Sequence, residues 1–390
     1  MRDFLSKRAK AIPPSGIRKF FDLASTKKGV ISLGVGEPDF ITPWEIRSAG
    51  ISAIKNGQTQ YTSNKGLLEL RQAISNYLRQ RFNMEFSAEN TIITLGASEA
   101  IDVTLRAIVN PDDEIIIPDP SYVSYKPCVE LLGGVAVSLP CSGDNGFKIT
   151  PENLEKVITP KTKAIIFPYP NNPTGGVMEK EYIEKIIPII LKHDLLVISD
   201  EIYAELTYNG KHYSIASFSE LKDRVVLISG FSKAFAMTGW RIGFVCAPES
   251  IVGAMLKIHQ YTAICAPIFS QYAALEGLKV GMEDGFQSVE QMREEYDKRR
   301  KYCFNSFNEM GLNCFEPCGA FYVFPCVKST GMDGEQFASA LLEKKNVAVV
   351  PGVAFGDFGK YYIRCSYAYS MQSLMKAVEK IREFIEELKN

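Results

Sequence analysis

The sequence predicts an α/β fold: a mostly parallel, seven-stranded sheet with helices on both faces, plus a smaller α+β domain formed by the N- and C-terminal segments. Between about residue 90 and residue 250, short apolar runs alternate with segments of helical spacing. Such alternation implies parallel strands joined by crossover helices. Several of the runs end at Gly, Pro, Asp or Ser, as strands entering loops do. The last hundred residues change character, with charged helical sequence leading into strand-like runs and a closing helix.

In chain order the strand candidates are "TIITLG", "EIIIPDP", "VAVSLP", "KAIIFPYP", "LLVISD", "RVVLISG" and "RIGFVCAP", each read as a buried strand. Helical spacing covers 99–109 and 179–191 among the intervening segments. Beyond residue 285, "VEQMREEYDKRRKYCFNSFNEM" reads as a charged helix, and "GAFYVFP", "VAVVPG" and "YYIRCSY" read as strands. The closing helix places Leu374, Val378, Ile381, Phe384 and Leu388 on one face at spacings of three or four. This divides the chain into a segment 1–45 that packs with the small domain, a large domain 46–284 and a small domain 285–390. Neither an internal repeat nor a low-complexity segment interrupts it.

Composition narrows the function class. Of 390 residues, 46% are hydrophobic and 23% charged, ordinary values for a globular protein. Lysine plus arginine (44) nearly cancels aspartate plus glutamate (45), so no basic balance points to nucleic acid. Nine cysteines run from Cys128 to Cys365 without a C-x-x-C pair, and Cys314 and Cys318 have no histidine near them. That pattern reads as free thiols in a reducing compartment, with no metal site. The N-terminus "MRDFLSKRAKAIPPSG" lacks the apolar core of a signal peptide, and no apolar stretch is long enough to span a membrane. A cytoplasmic protein is expected.

The unusual residues lie where a parallel sheet keeps its ligands, at the carboxyl ends of strands. In "SGFSKAFAMTGWRIGF", Lys233 stands among Ser232, Ala234, Phe235, Ala236 and Met237. Desolvation there would lower its pKa and free a neutral amine able to form a Schiff base, although a surface lysine could snorkel. Arg241, between Gly239 and Gly243, could fork onto a phosphate or carboxylate, or simply pair with an acid. "SDEIY" leaves Asp200 at the end of an apolar run, where a buried carboxylate needs a cationic partner unless it caps a helix. "YPNNPTGG" supplies Asn171, Pro173, Thr174 and Gly175, which serve equally well as turn formers. In "TLGASEA" a strand meets a helix whose start, at Ala97 and Ser98, offers free amides suited to a phosphate. A lysine, an arginine, an aspartate, an asparagine and a phosphate nest fit one ligand together: a phosphorylated, aldehyde-bearing, protonatable ring, pyridoxal 5'-phosphate.

The series "ISLGVGEPDF", "YPNNPTG", "SDEIY", "GFSKAFAMTGWRIGF" and "YYIRCSY" resembles the class I/II aminotransferases, closest to their prokaryotic aspartate/aromatic/N-acetyl-diaminopimelate branch. The resemblance covers the chain from about Pro14 to Leu388. It implies a fold-type I pyridoxal-phosphate enzyme, a homodimer moving an amino group from an L-amino acid to a 2-oxo acid such as 2-oxoglutarate. It further implies that Lys233 holds the cofactor as a Schiff base and is the catalytic residue. By the same resemblance Asp200 bonds the pyridine nitrogen, Asn172 and Tyr203 meet the ring's phenolic oxygen, and Tyr122 stacks on the ring. Ala97, Ser98, Ser232 and Arg241 fall at the phosphate, which Tyr61 of a partner subunit reaches. Arg364 and Gly36, with Asn172, fall at the substrate carboxylate.

Two positions depart from the family pattern. Gly230 stands where many relatives carry a phosphate-binding serine. Ser98 stands where some aspartate-specific members carry a lysine aimed at the side-chain carboxylate, which argues for a broad or aromatic donor preference. Two other readings compete: a β-lyase on the same scaffold, and a ligand-sensing domain of a transcription regulator. The second needs an attached DNA-binding module, for which the enzyme pattern leaves no room.

Overall fold

The structure, a computed structural model, describes residues 2–14, 16–17, 27 and 29–389. The rest of the N-terminal segment, part of the predicted 1–45 unit, lies outside the described residues. Strand β1 (Ile31–Ser32) precedes seven strands that form one sheet. These are β2 (Thr91–Thr94), β3 (Glu114–Asp119), β4 (Val135–Pro140), β5 (Thr162–Phe167), β6 (Leu196–Asp200), β7 (Val225–Gly230) and β8 (Gly243–Cys246). Their spatial order is β2-β8-β7-β6-β5-β3-β4. β3 to β7 pair in parallel, and β8 runs antiparallel to both β2 and β7.

Successive apolar residues of these strands feed opposite faces, which explains the unbroken apolar runs. Ile93, Leu227 and Phe244 pack against Leu70, Ile74 and Leu78 of helix Leu68–Phe82. Their neighbours Ile92, Ile228 and Val245 pack against Ile101 and Leu105 of helix Ala97–Ile108 and Met255 of helix Glu249–Thr262. Each such fully buried side chain contributes about 1.5–3 kcal/mol of transfer free energy. "VAVSLP" is a correction to the buried-strand expectation. As β4 it ends the sheet, with Val135 exposed, because an edge strand has a neighbour on one side only.

Helix Ile268–Asp284 stops at Gly285 and Phe286, both left-handed, and helix Gln287–Glu309 begins at once. The remaining strands are short: β9 (Asn313–Cys314), β10 (Tyr322–Val323), β11 (Pro325–Cys326), β12 (Val347–Ala348), β13 (Val350–Pro351) and β14 (Ile363–Ser366). β10-β14-β13 form an antiparallel sheet, β9 pairs with β11, and β12 pairs in parallel with β1. Two of the expected runs therefore divide. "GAFYVFP" changes partner from β14 to β9 after Val323, and "VAVVPG" changes from β1 to β14 after Ala348. Helix Met371–Lys389 closes the chain, burying Leu374, Val378, Ile381 and Phe384 against Phe307, Phe337 and Cys365.

Candidate active site

A cavity of about 420 Å³ opens at the carboxyl ends of β5, β6 and β7, the size class of small-molecule sites. Gly36, Ala97, Ser98, Tyr122, Asn172, Asp200, Tyr203, Ser232, Lys233, Arg241 and Arg364 all line it. Tyr61 does not; it is 80% exposed on the outer surface.

Asp200 ends β6, and no helix follows, so it caps none. Its Oδ2 accepts the Tyr125 hydroxyl at 2.7 Å and its Oδ1 accepts the Ile202 amide at 3.3 Å. Burial pushes its carboxyl up to about 6, against those two bonds and the attraction of Lys233. A carboxylate so placed gains from a cationic hydrogen-bond donor delivered by a ligand. Lys233 follows β7 in the turn that leads to β8, and its Nζ donates to the Gly36 carbonyl at 2.8 Å. Burial lowers its ammonium to about 8, with Arg364 and Arg241 adding to the shift and Glu37 and Asp200 opposing it. At that value a useful share of the amine is neutral near pH 7 to 8 and nucleophilic.

The antiparallel β8 starts where its parallel neighbours end, and this brings Arg241 to the same edge. A side chain on Gly243 would meet the Gly96 carbonyl carbon at 2.7 Å, so three backbones converge on that corner. Helix Ala97–Ile108 begins here, capped by Gly96 at φ 78°. The Arg241 guanidinium lies over Gly96, bonded through Nη1 to the Thr238 carbonyl at 2.9 Å. First-turn amides and an arginine form an anion site. Glu99 of the same turn reaches back to the Leu95 amide and also meets His259 Nδ1 at 2.7 Å.

Arg364 projects from β14 into the far side of the cavity. It is 2% exposed, yet no carboxylate among the described residues pairs with it. Nη1 donates to Asn172 Oδ1 at 2.9 Å and Nη2 to the Gly34 carbonyl, while Nε has no partner. Its carbon Cζ is 4.4 Å from the Tyr322 ring and 4.8 Å from the Phe355 ring. A buried cation without an acid is expensive, and a ligand carboxylate would relieve that cost. Asn172 is held by its loop, where the Gly175 carbonyl accepts the Cys318 and Gly319 amides.

Sequence reasoning missed Tyr125, Tyr322 and Glu37, all of which line the cavity. Tyr125 stands three residues after Tyr122 in "DPSYVSY", the one local signal available for it. All nine cysteines are unpaired. The described residues include no cluster of metal-ligating side chains and no helix long and apolar enough to cross a membrane.

An amine kept partly neutral, a buried carboxylate seeking a proton-bearing partner, an anion nest and an unpaired arginine define the donor set of a pyridoxal-phosphate enzyme acting on amino acids. The chain belongs to the family "Aminotransferase class I and II", whose model matches residues 28–381. It is 53% identical to the protein YugH of Bacillus subtilis, over 99% of both chains. It is 44% identical to an aspartate aminotransferase of Pyrococcus abyssi, again over 99% of each. The solved aromatic aminotransferase of Pyrococcus horikoshii superposes with a TM-score of 0.91 at 43% identity, covering 96% of this chain and 99% of that one. The protein is thus a fold-type I, pyridoxal-phosphate-dependent aminotransferase.

Proposed function

We propose that the enzyme accepts aromatic and other uncharged L-amino acids as donors, with Arg364 as the cation that grips the substrate α-carboxylate. The observation that carries this is the inventory of cations. Among the described residues, Lys233, Arg241 and Arg364 are the cations that line the cavity, and Ser98 adds none. Two of the three would be taken up by the cofactor's carbonyl and phosphate ends, which leaves one for the α-carboxylate and, among the described residues, no further cation for a side-chain carboxylate. Aromatic walls at Tyr122, Tyr203 and Tyr322 suit a flat apolar side chain.

Each residue's task follows from its place. Asp200 would hold a protonated ring nitrogen, and the bond from Tyr125 would keep that carboxylate aimed into the cavity. Tyr203 and Asn172 would meet the ring's phenolic oxygen, and Tyr122 would cover one ring face. Ala97, Ser98, Ser232 and Arg241 would take the phosphate. Bound pyridoxal phosphate supplies an electron sink conjugated to its carbonyl carbon. Lys233 Nζ would hold the cofactor's carbonyl carbon and, as a free amine, would be placed to carry the proton at the donor's Cα. General bases of this kind contribute about 10² to 10⁴ in rate. Arg364 and the Gly36 backbone would fix the donor carboxylate, and so the bond that faces Lys233.

The active unit we propose is a cytoplasmic homodimer, with Tyr61 completing the partner's phosphate site. Helix Trp44–Lys55 packs on helix Ile268–Asp284, and Asn64 bonds the Ile264 carbonyl at 2.8 Å. Tyr61, Tyr261, Ile264 and Ile51 are exposed along these neighbouring elements, an apolar surface that association would cover. A panel of donors with 2-oxoglutarate tests the reading. Aromatic donors should produce glutamate fastest. Activity confined to aspartate would overturn the preference, and ammonia or 2-oxo acid released without glutamate would indicate a lyase.

A further inference from the structure

Tyr203 and Tyr322 meet hydroxyl to hydroxyl at 2.9 Å, 5% and 1% exposed. Burial raises both phenols above their ordinary value, so each keeps its proton. Two protons and one contact leave one proton over. The direction of the bond therefore decides which phenol can donate into the cavity.

The Arg364 guanidinium, 4.4 Å from the centre of the Tyr322 ring, draws charge from that ring and makes Tyr322 the better donor. With Tyr322 as the donor to Tyr203, the Tyr203 proton would be free for a ligand oxygen. Donor chains of this kind strengthen each member bond. The β10–β14 register builds the arrangement: Tyr322 pairs with Ser366, so Arg364 is its diagonal neighbour on the same face of the sheet. Gly36 closes the third side, since a Cβ there would sit 2.4 Å from the Tyr322 hydroxyl.

We propose that Tyr322 is a positioning residue with two separable tasks: its hydroxyl orients the Tyr203 proton toward the cofactor's phenolic oxygen, and its ring holds the Arg364 fork in place for the substrate carboxylate. The inference rests on the proposed roles of Tyr203 and Arg364. The titratable or charged groups around the Tyr322 hydroxyl are Tyr203, Arg364, Tyr122 and Tyr369, with Lys233 Nζ 5.9 Å from the Tyr203 ring.

The test compares holoenzyme of wild type, Tyr322→Phe and Tyr322→Leu in two measurements. One is the pH midpoint of the bound cofactor's visible absorbance; the other is the Kd of 3-phenylpropionate, a carboxylate without an amine. Tyr322→Phe should raise the midpoint by about half a pH unit, a roughly threefold change in proton affinity, because the ring's phenolic oxygen loses donor strength. It should leave the Kd within about twofold. Tyr322→Leu should raise the midpoint similarly and weaken 3-phenylpropionate by about 3- to 30-fold, as loss of a cation–π contact implies.

An unchanged midpoint in Tyr322→Phe overturns the first task, and that variant retains the ring and so the fold. Wild-type affinity in Tyr322→Leu overturns the second. Should Tyr322→Leu not fold, a Kd weakened in Tyr322→Phe by more than tenfold overturns the separation of tasks, and a Kd within twofold supports it. A wild-type protein that develops no cofactor absorbance would defeat the underlying reading instead.

Discussion

Arg364 provides the sharpest perturbation. Its guanidinium is buried between the Tyr322 and Phe355 rings, bonded only to the Asn172 amide oxygen and the Gly34 carbonyl. A lysine at this position retains the charge but presents a single point donor in place of a fork. Charge-assisted hydrogen bonds contribute about 1.5–3 kcal/mol each, so losing one of two should lower kcat/KM by about 10- to 150-fold. The assay is the half-reaction with phenylalanine, followed by the absorbance change of the bound cofactor and analysed for binding and rate separately. Stability supplies the control. A purely structural arginine would destabilise the fold strongly when removed, whereas removing a buried cation that has no acid to pair with relieves its desolvation cost and so offsets the loss of its two hydrogen bonds. Arg364→Leu should therefore melt within a few degrees of wild type while binding 3-phenylpropionate far more weakly. Wild-type kcat/KM in Arg364→Lys, or a collapse of stability in Arg364→Leu, would overturn the role of Arg364 as the carboxylate fork.

Three further outcomes follow. Lys233→Ala should abolish turnover, measured as glutamate formed from 2-oxoglutarate, because no other lysine among the described residues lines the cavity. Capture of the cofactor by apoprotein should speed up by as much as tenfold per pH unit below about 8 and level off above, since the neutral amine is the reactive form and burial sets its ammonium at about 8; a flat profile in stopped-flow absorbance would contradict this. Gly230→Ser should lose stability by about 1–3 kcal/mol and gain no cofactor affinity. Its Cβ would stand 2.9 Å from Gly243 Cα and 3.1 Å from the Ile242 carbonyl, both backbone atoms, as denaturant melts and cofactor titration would reveal.

Much of the site is legible in sequence because parallel strands bring their ends to one edge. Lys233, Asp200, Asn172 and Ser98 each follow an apolar run, and that local pattern alone places them together. Arg241 depends on β8 being antiparallel, which the run "RIGFVCAP" does not reveal, although Gly243 marks the close approach. The residues missed act across long separations. The hydroxyl of Tyr125 reaches Asp200, 75 positions away, and Tyr322 meets Arg364 only through strand register. The divided runs have the same cause: an apolar stretch records burial but not a change of partner, as at Phe324 between β10 and β11. The Glu99–His259 contact joins two helices and leaves no periodic trace.

In the proposed enzyme the Lys233 amine carries the cofactor's carbonyl carbon. Borohydride reduction of the holoenzyme followed by peptide mapping tests it directly. A stoichiometric pyridoxyl adduct should form at Lys233 and none in Lys233→Ala. An adduct at another lysine, or reduction that leaves the cofactor free, would contradict it.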